Sequence, residues 1–345
     1  METLRENMPP ASAGWRYTPH LIVFFSSAFI MVLELVAGRL IARHLGSSLY
    51  TWTSIIGIIL AGISLGNYLG GRFADRWRPE TIVGVLFLFA SLSAFLVLPL
   101  NHLFAVHDIV DKAGGWLARH FWHLEAWDAS WPVKTFIAVF CIFFLPALIL
   151  GTISPVAAKM ALERGVAIGK TIGSVYAWGA VGSIIGTFLT GFWLVAALGA
   201  RGVALFVVAG LAVMAAIAAR GWWRVAASAW AILSLFFFML SQMPAEKTSV
   251  FRRHFPGRAT GLYKLLFDVF AHCERDNSDF SKDSNYQYVY VYTKQSAKDP
   301  DRTLKVLRLD YLIHSYVDPD DPAHLEYGYE AVSYTHLTLP TIYSV

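Results

Sequence analysis

Apolar residues in this chain fall into seven long runs before Gln242 and into short alternating stretches after Ser284. A hydrocarbon core of about 30 Å takes roughly 20 apolar residues as helix. Leu21–Ala42, Tyr50–Gly71, Thr81–Leu100, Thr135–Pro155, Ile172–Leu198, Val203–Ala219 and Val225–Met243 meet or approach that length. The pattern predicts an all-α polytopic membrane bundle of about seven transmembrane helices. Between the last two runs, Arg220, Gly221, Trp222, Trp223 and Arg224 join cations to interfacial aromatics, the make-up of a turn at a membrane surface. The first nineteen residues are polar and no small-residue cleavage site follows the first run, so that run reads as an uncleaved helix. The one long loop, Asn101–Lys134, carries Phe104, Trp116, Phe121, Trp122, Trp127 and Trp131 and reads as an amphipathic segment at headgroup depth. Its His120 and His123, three apart with no carboxylate pattern nearby, are a weak metal signal.

Past Pro244 the composition turns mixed polar. Leu262–His272 has helical apolar spacing and reads as a short connecting helix. Tyr286–Thr293, Lys305–Leu309 and Leu312–Tyr316 are rich in aromatic and β-branched residues, which fit a pleated surface. Lys298, Asp299, Pro300 and Asp301 make the turn between the first two, since proline fixes φ and aspartate bonds its own backbone. The prediction is a small β meander after the bundle.

Hydrophobic residues make up 56% of the chain, above the roughly 45–50% of soluble domains, which agrees with a membrane class. The net charge of +4 is spread through short loops, so it speaks for topology and lipid headgroups rather than nucleic acid. Arg252, Arg253, His254 and Arg258, just past the last run, suit anionic headgroups. Cys141 and Cys273 have no CxxC partner, and a disulfide scaffold or zinc site is not expected. One side of the membrane collects Arg5, Arg16, Arg72, Arg76, Arg78, Lys159, Arg164, Lys170, Arg220 and Arg224, the larger set, which puts the N-terminus in the cytoplasm. Seven spans then carry the polar tail to the other side, and the side of the tail stays open.

Small and polar residues inside the runs are the candidate contacts. Gly62, Gly66 and Gly70 share one helical face, as do Gly182 and Gly186, and such faces let helices approach closely. Glu34 is a carboxylate inside a span, where insertion costs about 2.5–3.5 kcal/mol. It should therefore face the bundle, with Asn67, Tyr68 and Tyr176 as candidate partners, and it would suit a cationic ligand. Pro155 ends Gly151-Thr152-Ile153-Ser154-Pro155 and predicts a kink, because proline removes a backbone donor. Gly71-Arg72-Phe73-Ala74-Asp75-Arg76 after the second run resembles the G-x-x-x-D-R loop of major facilitator transporters, where Asp75 and Arg76 would pair across helix ends.

The order S-x-Y-Q (Ser284 to Gln287), an extended run, Leu309-Asp310, an acidic proline-containing turn and Tyr329-Glu330 resembles the N-terminal β domain of spermidine synthases. Joined to the apolar half, it resembles the membrane-fused branch of that family. Where the soluble enzymes have L-D-G and then Gln, this chain has Tyr311 and His314. The resemblance implies aminopropyl transfer from decarboxylated S-adenosylmethionine to putrescine or a similar amine. It also implies a Rossmann-like catalytic domain beyond the β domain, whose Gly-rich turn and paired acids do not occur in this sequence. Gln287, Tyr329 and Glu330 carry over as substrate-binding positions, and His314 is included because it stands where a binding Gln is usual; no catalytic residue is among them. The implied setting is a multi-pass protein of a bacterial inner membrane, embedded in the lipid bilayer and able to oligomerise. The expected layout is 1–20 cytoplasmic, 21–243 transmembrane, 244–283 linker and 284–331 β domain. Val332–Thr341, within 332–345, looks like translated sequencing adapter and is expected to be non-native. The rival expectation is a transporter or polyamine-binding membrane protein whose soluble part does not catalyse.

Overall fold

In the computed structural model the chain divides into two compact units, residues 1–40 with 49–242 and residues 41–48 with 243–345. The structure describes residues 18–105, 131–163, 167–242, 278–284, 286–310, 312–321 and 324–326. The interfacial segment 106–130, the helix expected at Leu262–His272, Tyr311, Tyr329, Glu330 and everything after 326 lie outside the described residues.

The helices are α1 (Thr18–Leu45), α2 (Leu49–Arg76), α3 (Pro79–Phe95), α4 (Val97–Ala105), α5 (Trp131–Leu162), α6 (Ile168–Leu189), α7 (Val195–Ala218) and α8 (Trp222–Ser241). Helix α1 stops at Gly46, whose φ of 76° is a left-handed backbone open to glycine and whose N–H donates to the Ala42 carbonyl. Helix α3 starts on Pro79 and Glu80, a residue with no N–H to leave unpaired and a carboxylate beside the positive helix end. Among the described residues, six helical stretches are long and apolar enough to cross a membrane. Their outer surface is apolar too, with Phe192 80%, Ile232 71% and Ile217 70% exposed, as a lipid-facing surface requires.

The fifth stretch, Ile168–Ala218, contains both the fifth and the sixth apolar runs. Helices α6 and α7 are joined by a π turn at Thr190–Leu194, and Gly199 has a non-helical backbone with φ 68° and ψ 166°. There the chain folds back. In a straight helix Gly186 and Gly210 would be about 36 Å apart. Instead Gly186 packs on Ala28 and Gly210 on Phe29, neighbours on α1. Helix α7 also runs against both α3 and α8. Gly84, near the start of α3, abuts the backbone of Ala218 and Ala219, and a methyl group on Gly202 would sit 2.5 Å from Gln242 Nε2.

Two local expectations are corrected. The Gly71–Arg76 motif is not a loop; it forms the last turns of α2. Pro155 does not end its span either. Helix α5 runs through Pro146 and Pro155 to Leu162, at the cost of one intrahelical hydrogen bond per proline.

The second unit holds a four-stranded antiparallel meander in the order β1-β2-β3-β4: Ser278–Asp283, Tyr288–Gln295, Thr303–Leu309 and Leu312–Val317. Strand β1 lies in the stretch read from sequence as linker. Strand β2 begins two residues later than expected because Ser284 to Gln287 is the β1–β2 turn. The Ser284 hydroxyl donates to the Gln287 carbonyl at 2.6 Å and accepts from the Gln287 N–H at 2.9 Å. Tyr288, Tyr290 and Tyr292 alternate onto one face and their rings form a ladder. Leu304 and Val306 on β3 are fully buried. The two-residue loop after Leu309 opens on Asp310 at φ 51°, a conformation aspartate tolerates, and Asp310 Oδ1 accepts from the Tyr288 N–H.

Charges tie the β2–β3 turn to the chain after β4. Arg302 reaches Asp321 at 3.0 Å, Asp318 at 3.1 Å and Asp299 at 3.2 Å. Glu326 accepts from Ser296 Oγ and the Ala297 N–H and faces His324 Nε2 at 2.9 Å. The Asp320 N–H beside Asp318, with further help from Asp321 and Arg302, holds the Asp318 carboxyl below its usual range. His324 does the same for Glu326, ahead of Ser296 and Ala297. A depressed folded pKa contributes stability that is complete above the unfolded value and is lost as pH falls through the folded one. Acidification below the ordinary carboxylate range is therefore expected to loosen this turn first. Hydrogen exchange at Ala297 and Lys298, corrected for the intrinsic pH dependence, should rise there in the native chain. It should already be fast at neutral pH in Glu326→Gln.

Candidate functional site

The glycine faces weld the bundle into two pairs. Methyl groups on Gly62, Gly66 and Gly70 of α2 would strike Ala147, Leu148, Gly151 or Thr152 of α5, and those on Gly182 and Gly186 of α6 would strike Phe24 and Ala28 of α1. These are backbone-to-backbone contacts, the close approach expected of small-residue faces. Between the α2/α5 pair and the α1/α6 pair lies a cleft of about 1,040 Å³, at the upper end of the roughly 300–1,000 Å³ of ligand pockets.

Its walls are apolar, from Val23 and Ile30 of α1, Ile63 of α2, and Ile172 and Val175 of α6. Polar side chains enter from all four helices: Ser27, Asn67, Ser154 and Ser183, with Tyr176 beside them. Helix directions set its depth. Asp75 ends α2, Lys159 and Glu163 end α5, and Ile172 begins α6, so these mark one mouth. Met31, Ile63, Gly151 and Ser183 mark the floor. At the mouth Lys159 Nζ donates to Asp75 Oδ1 at 2.7 Å.

Of the membrane residues read from sequence as candidate contacts, Asn67, Gly71, Asp75 and Tyr176 line this cleft, as do Gly151, Ser154 and Pro155 of the kink motif. Asp75 does not pair with Arg76 as the motif suggested; its partner is Lys159 on α5, and Arg76 reaches toward the Trp77 ring, 6.0 Å from its centroid. Glu34 lies on α1 one turn beyond Met31, outside the lining, half-buried. None of Asn67, Tyr68 and Tyr176 bonds it; Tyr68 stacks under the Arg72 guanidinium at 4.2 Å. Ser27 and Ser183 were not singled out from sequence, Ser154 was read only as part of the Pro155 kink, and Lys159 only as a cation that sets topology. Only the pairing of helices turns them toward one space.

The Asp75–Lys159 pair is worth little by itself. Asp75 is 80% exposed, and such pairs contribute about 0–1 kcal/mol. Asp75→Asn is expected to leave the thermal midpoint within about 2 °C of the parent; a larger fall would mean the pair latches the mouth.

In the β unit, Gln287 closes the Ser284 turn and His314 sits at a β-bulge. Leu307 pairs with Ser315 and Arg308 with Ile313, leaving His314 without a partner across the ladder and exposed. Strand spacing sets Gln287 and His314 about 15 Å apart, two strands over and more than three residues along. They do not converge on one site. Tyr329 and Glu330 lie outside the described residues. Among the described residues no three His, Cys, Asp or Glu side chains converge as metal ligands.

An apolar outer surface and, among the described residues, six span-length helical stretches around a cleft define a multi-pass membrane protein. No family model, curated protein or solved structure matches the chain.

Proposed function

We propose that this chain is the membrane half and opening β domain of a spermidine-synthase-like aminopropyltransferase of the membrane-fused type. The observation that supports it is the antiparallel meander whose first turn is Ser284 to Gln287, since S-x-Y-Q and the following strand carry the resemblance. In the reaction an amine nitrogen of putrescine attacks the carbon beside the sulfonium of decarboxylated S-adenosylmethionine. The C–S bond breaks, the thioether leaves, and an acidic group takes the amine proton. None of the described residues is assigned that step. The protein expressed from its intact gene, given both substrates, should form spermidine and methylthioadenosine in equal amounts. Absence of both products, with the protein folded, would remove the proposal.

The reading includes seven membrane crossings in a bacterial inner membrane with a cytoplasmic N-terminus. Supporting it, Glu80 at the start of α3 pairs with Arg220 at 2.7 Å, so both ends lie on the face that also carries Asp75 and Lys159. A single crossing from Ile168 to Ala218 would separate Arg220 from Glu80 by a membrane thickness.

The cleft favours a second reading, a bundle that binds or moves a molecule by itself. In its polyamine form that reading rests on Glu34, the carboxylate just past the cleft floor. Putrescine uptake into vesicles that is abolished in Glu34→Gln, with no transfer product, would select it over the first.

A further inference from the structure

Hydroxyl groups in helices ordinarily close on a carbonyl of their own helix. Here Ser26 bonds the Val23 carbonyl, Thr152 that of Ile149, Ser174 that of Thr171, Thr190 that of Gly186 and Ser234 that of Ala231. The cleft's polar side chains behave differently. The side-chain polar atoms of Ser27, Asn67, Ser154 and Ser183 make no hydrogen bond to any described residue, although each lies within a membrane-length helix. Pro155 adds to them, because it lacks the N–H that would occupy the Gly151 carbonyl, and both residues line the same space. One unmet polar group from each of four helices, in one cavity at hydrocarbon depth, is costly unless something in the cavity satisfies it.

The charges narrow what that is. Asp75 and Lys159 neutralise one another at the mouth, and Glu163 is exposed at its edge. Deeper in, the lining offers hydroxyl, amide and carbonyl groups against Val23, Ile30, Ile63 and Val175, with no ionised side chain. A charged ligand group at that depth would lose its water without gaining a counter-ion from the lining. We propose that this cleft binds an uncharged amphiphile whose hydroxyl or amide groups bond Ser27, Asn67, Ser154 and Ser183 while its hydrocarbon part lies along the apolar walls. The site shares its cleft with the second reading above and deepens it, and it does not rest on the aminopropyl-transfer reading.

The test uses the full chain in lipid nanodiscs with three photoactivatable probes of one chain length, a monoacylglycerol, an alkylamine and a fatty acid. Peptides labelled on illumination are identified by mass spectrometry. The monoacylglycerol is expected to label α1, α2, α5 and α6 saturably, to be displaced by excess untagged monoacylglycerol, and to lose roughly tenfold in apparent affinity in Asn67→Leu, equivalent to a hydrogen bond or two. Ser27→Ala and Ser154→Ala, which each remove one oxygen, keep the test open if Asn67→Leu does not fold. Phe192→Ala, on the outer surface, should change nothing. Labelling spread over the outer surface of α8 and indifferent to these substitutions would overturn the proposal. So would saturable labelling by the amine or the acid in place of the glyceride, and so would no saturable labelling at all.

Discussion

Gly66→Ala should loosen the bundle more than any other single methyl group added to α2. The new Cβ would collide with the Leu148 carbonyl and lie 3.0 Å from the Gly151 Cα. Both are backbone atoms of a helix, so neither can rotate away, and α2 must move off α5 along its length. Overpacking of this kind costs typically about 1–3 kcal/mol. Alanine recovers about 1 kcal/mol of helix propensity over glycine, so the net effect separates cleanly only against a matched control. Gly71→Ala supplies it, because a methyl group there meets nothing within 4 Å. Gly182→Ala against Gly173→Ala repeats the comparison on α6, where the first strikes the Phe24 backbone and the second meets open space. In thermal unfolding of the detergent-solubilised protein, Gly66→Ala and Gly182→Ala should melt several degrees lower, and both controls should hold or rise slightly. Equal midpoints for Gly66→Ala and Gly71→Ala would mean that α2 and α5 are not packed through these glycines.

Those glycines were legible because their spacing of four needs no partner to be recognised, only a shared helical face. The apolar runs were legible for a similar reason, since hydrocarbon thickness alone sets their length. The cleft was not. Ser27, Ser154 and Ser183 look alike to Ser26, Thr152 and Ser234 along the chain, and what separates them is which helix lies opposite. The extent of α2 and α5 was underread because a glycine-rich, charged segment and an internal proline both mimic helix ends. Residues 72–76 stay helical as Asp75 reaches Lys159 on the next helix, and α5 continues past Pro155 to Leu162. In the β unit the strand pattern carried the meander, but S-x-Y-Q, read as the start of a strand, is a turn closed by the Ser284 hydroxyl. Strand β1 escaped because Ser278–Asp283 alternates polar residues around a single Phe280 and has no apolar face to announce it.

The reversal at Gly199 has the sharpest consequence, since on the proposed seven-crossing reading it decides the side of the membrane on which residues appear. A backbone at φ 68° and ψ 166° is essentially reserved for glycine, and a side chain there costs about 1–3 kcal/mol. Glycine at this point lets α6 and α7 lie together on α1, where Ala28 meets Gly186 and Phe29 meets Gly210. Single cysteines at Lys170, Arg201 and Arg224, in a chain carrying Cys141→Ser and Cys273→Ser, should respond in two groups. With a membrane-impermeant maleimide on intact cells, Arg201→Cys should be labelled, while Lys170→Cys and Arg224→Cys should react only after lysis. The cationic Arg72, Arg76 and Arg78 then share the cytoplasmic face with Lys170 and Arg224, as the positive-inside rule requires. If α6 and α7 made one crossing, Lys170→Cys and Arg224→Cys would label from opposite faces. The Glu80–Arg220 pair could not then form, because α3 begins on the face where α2 ends. Gly199→Ala should leave the sidedness unchanged while lowering the melting temperature, because the turn is held by contacts on both arms and the strain falls on the folded state.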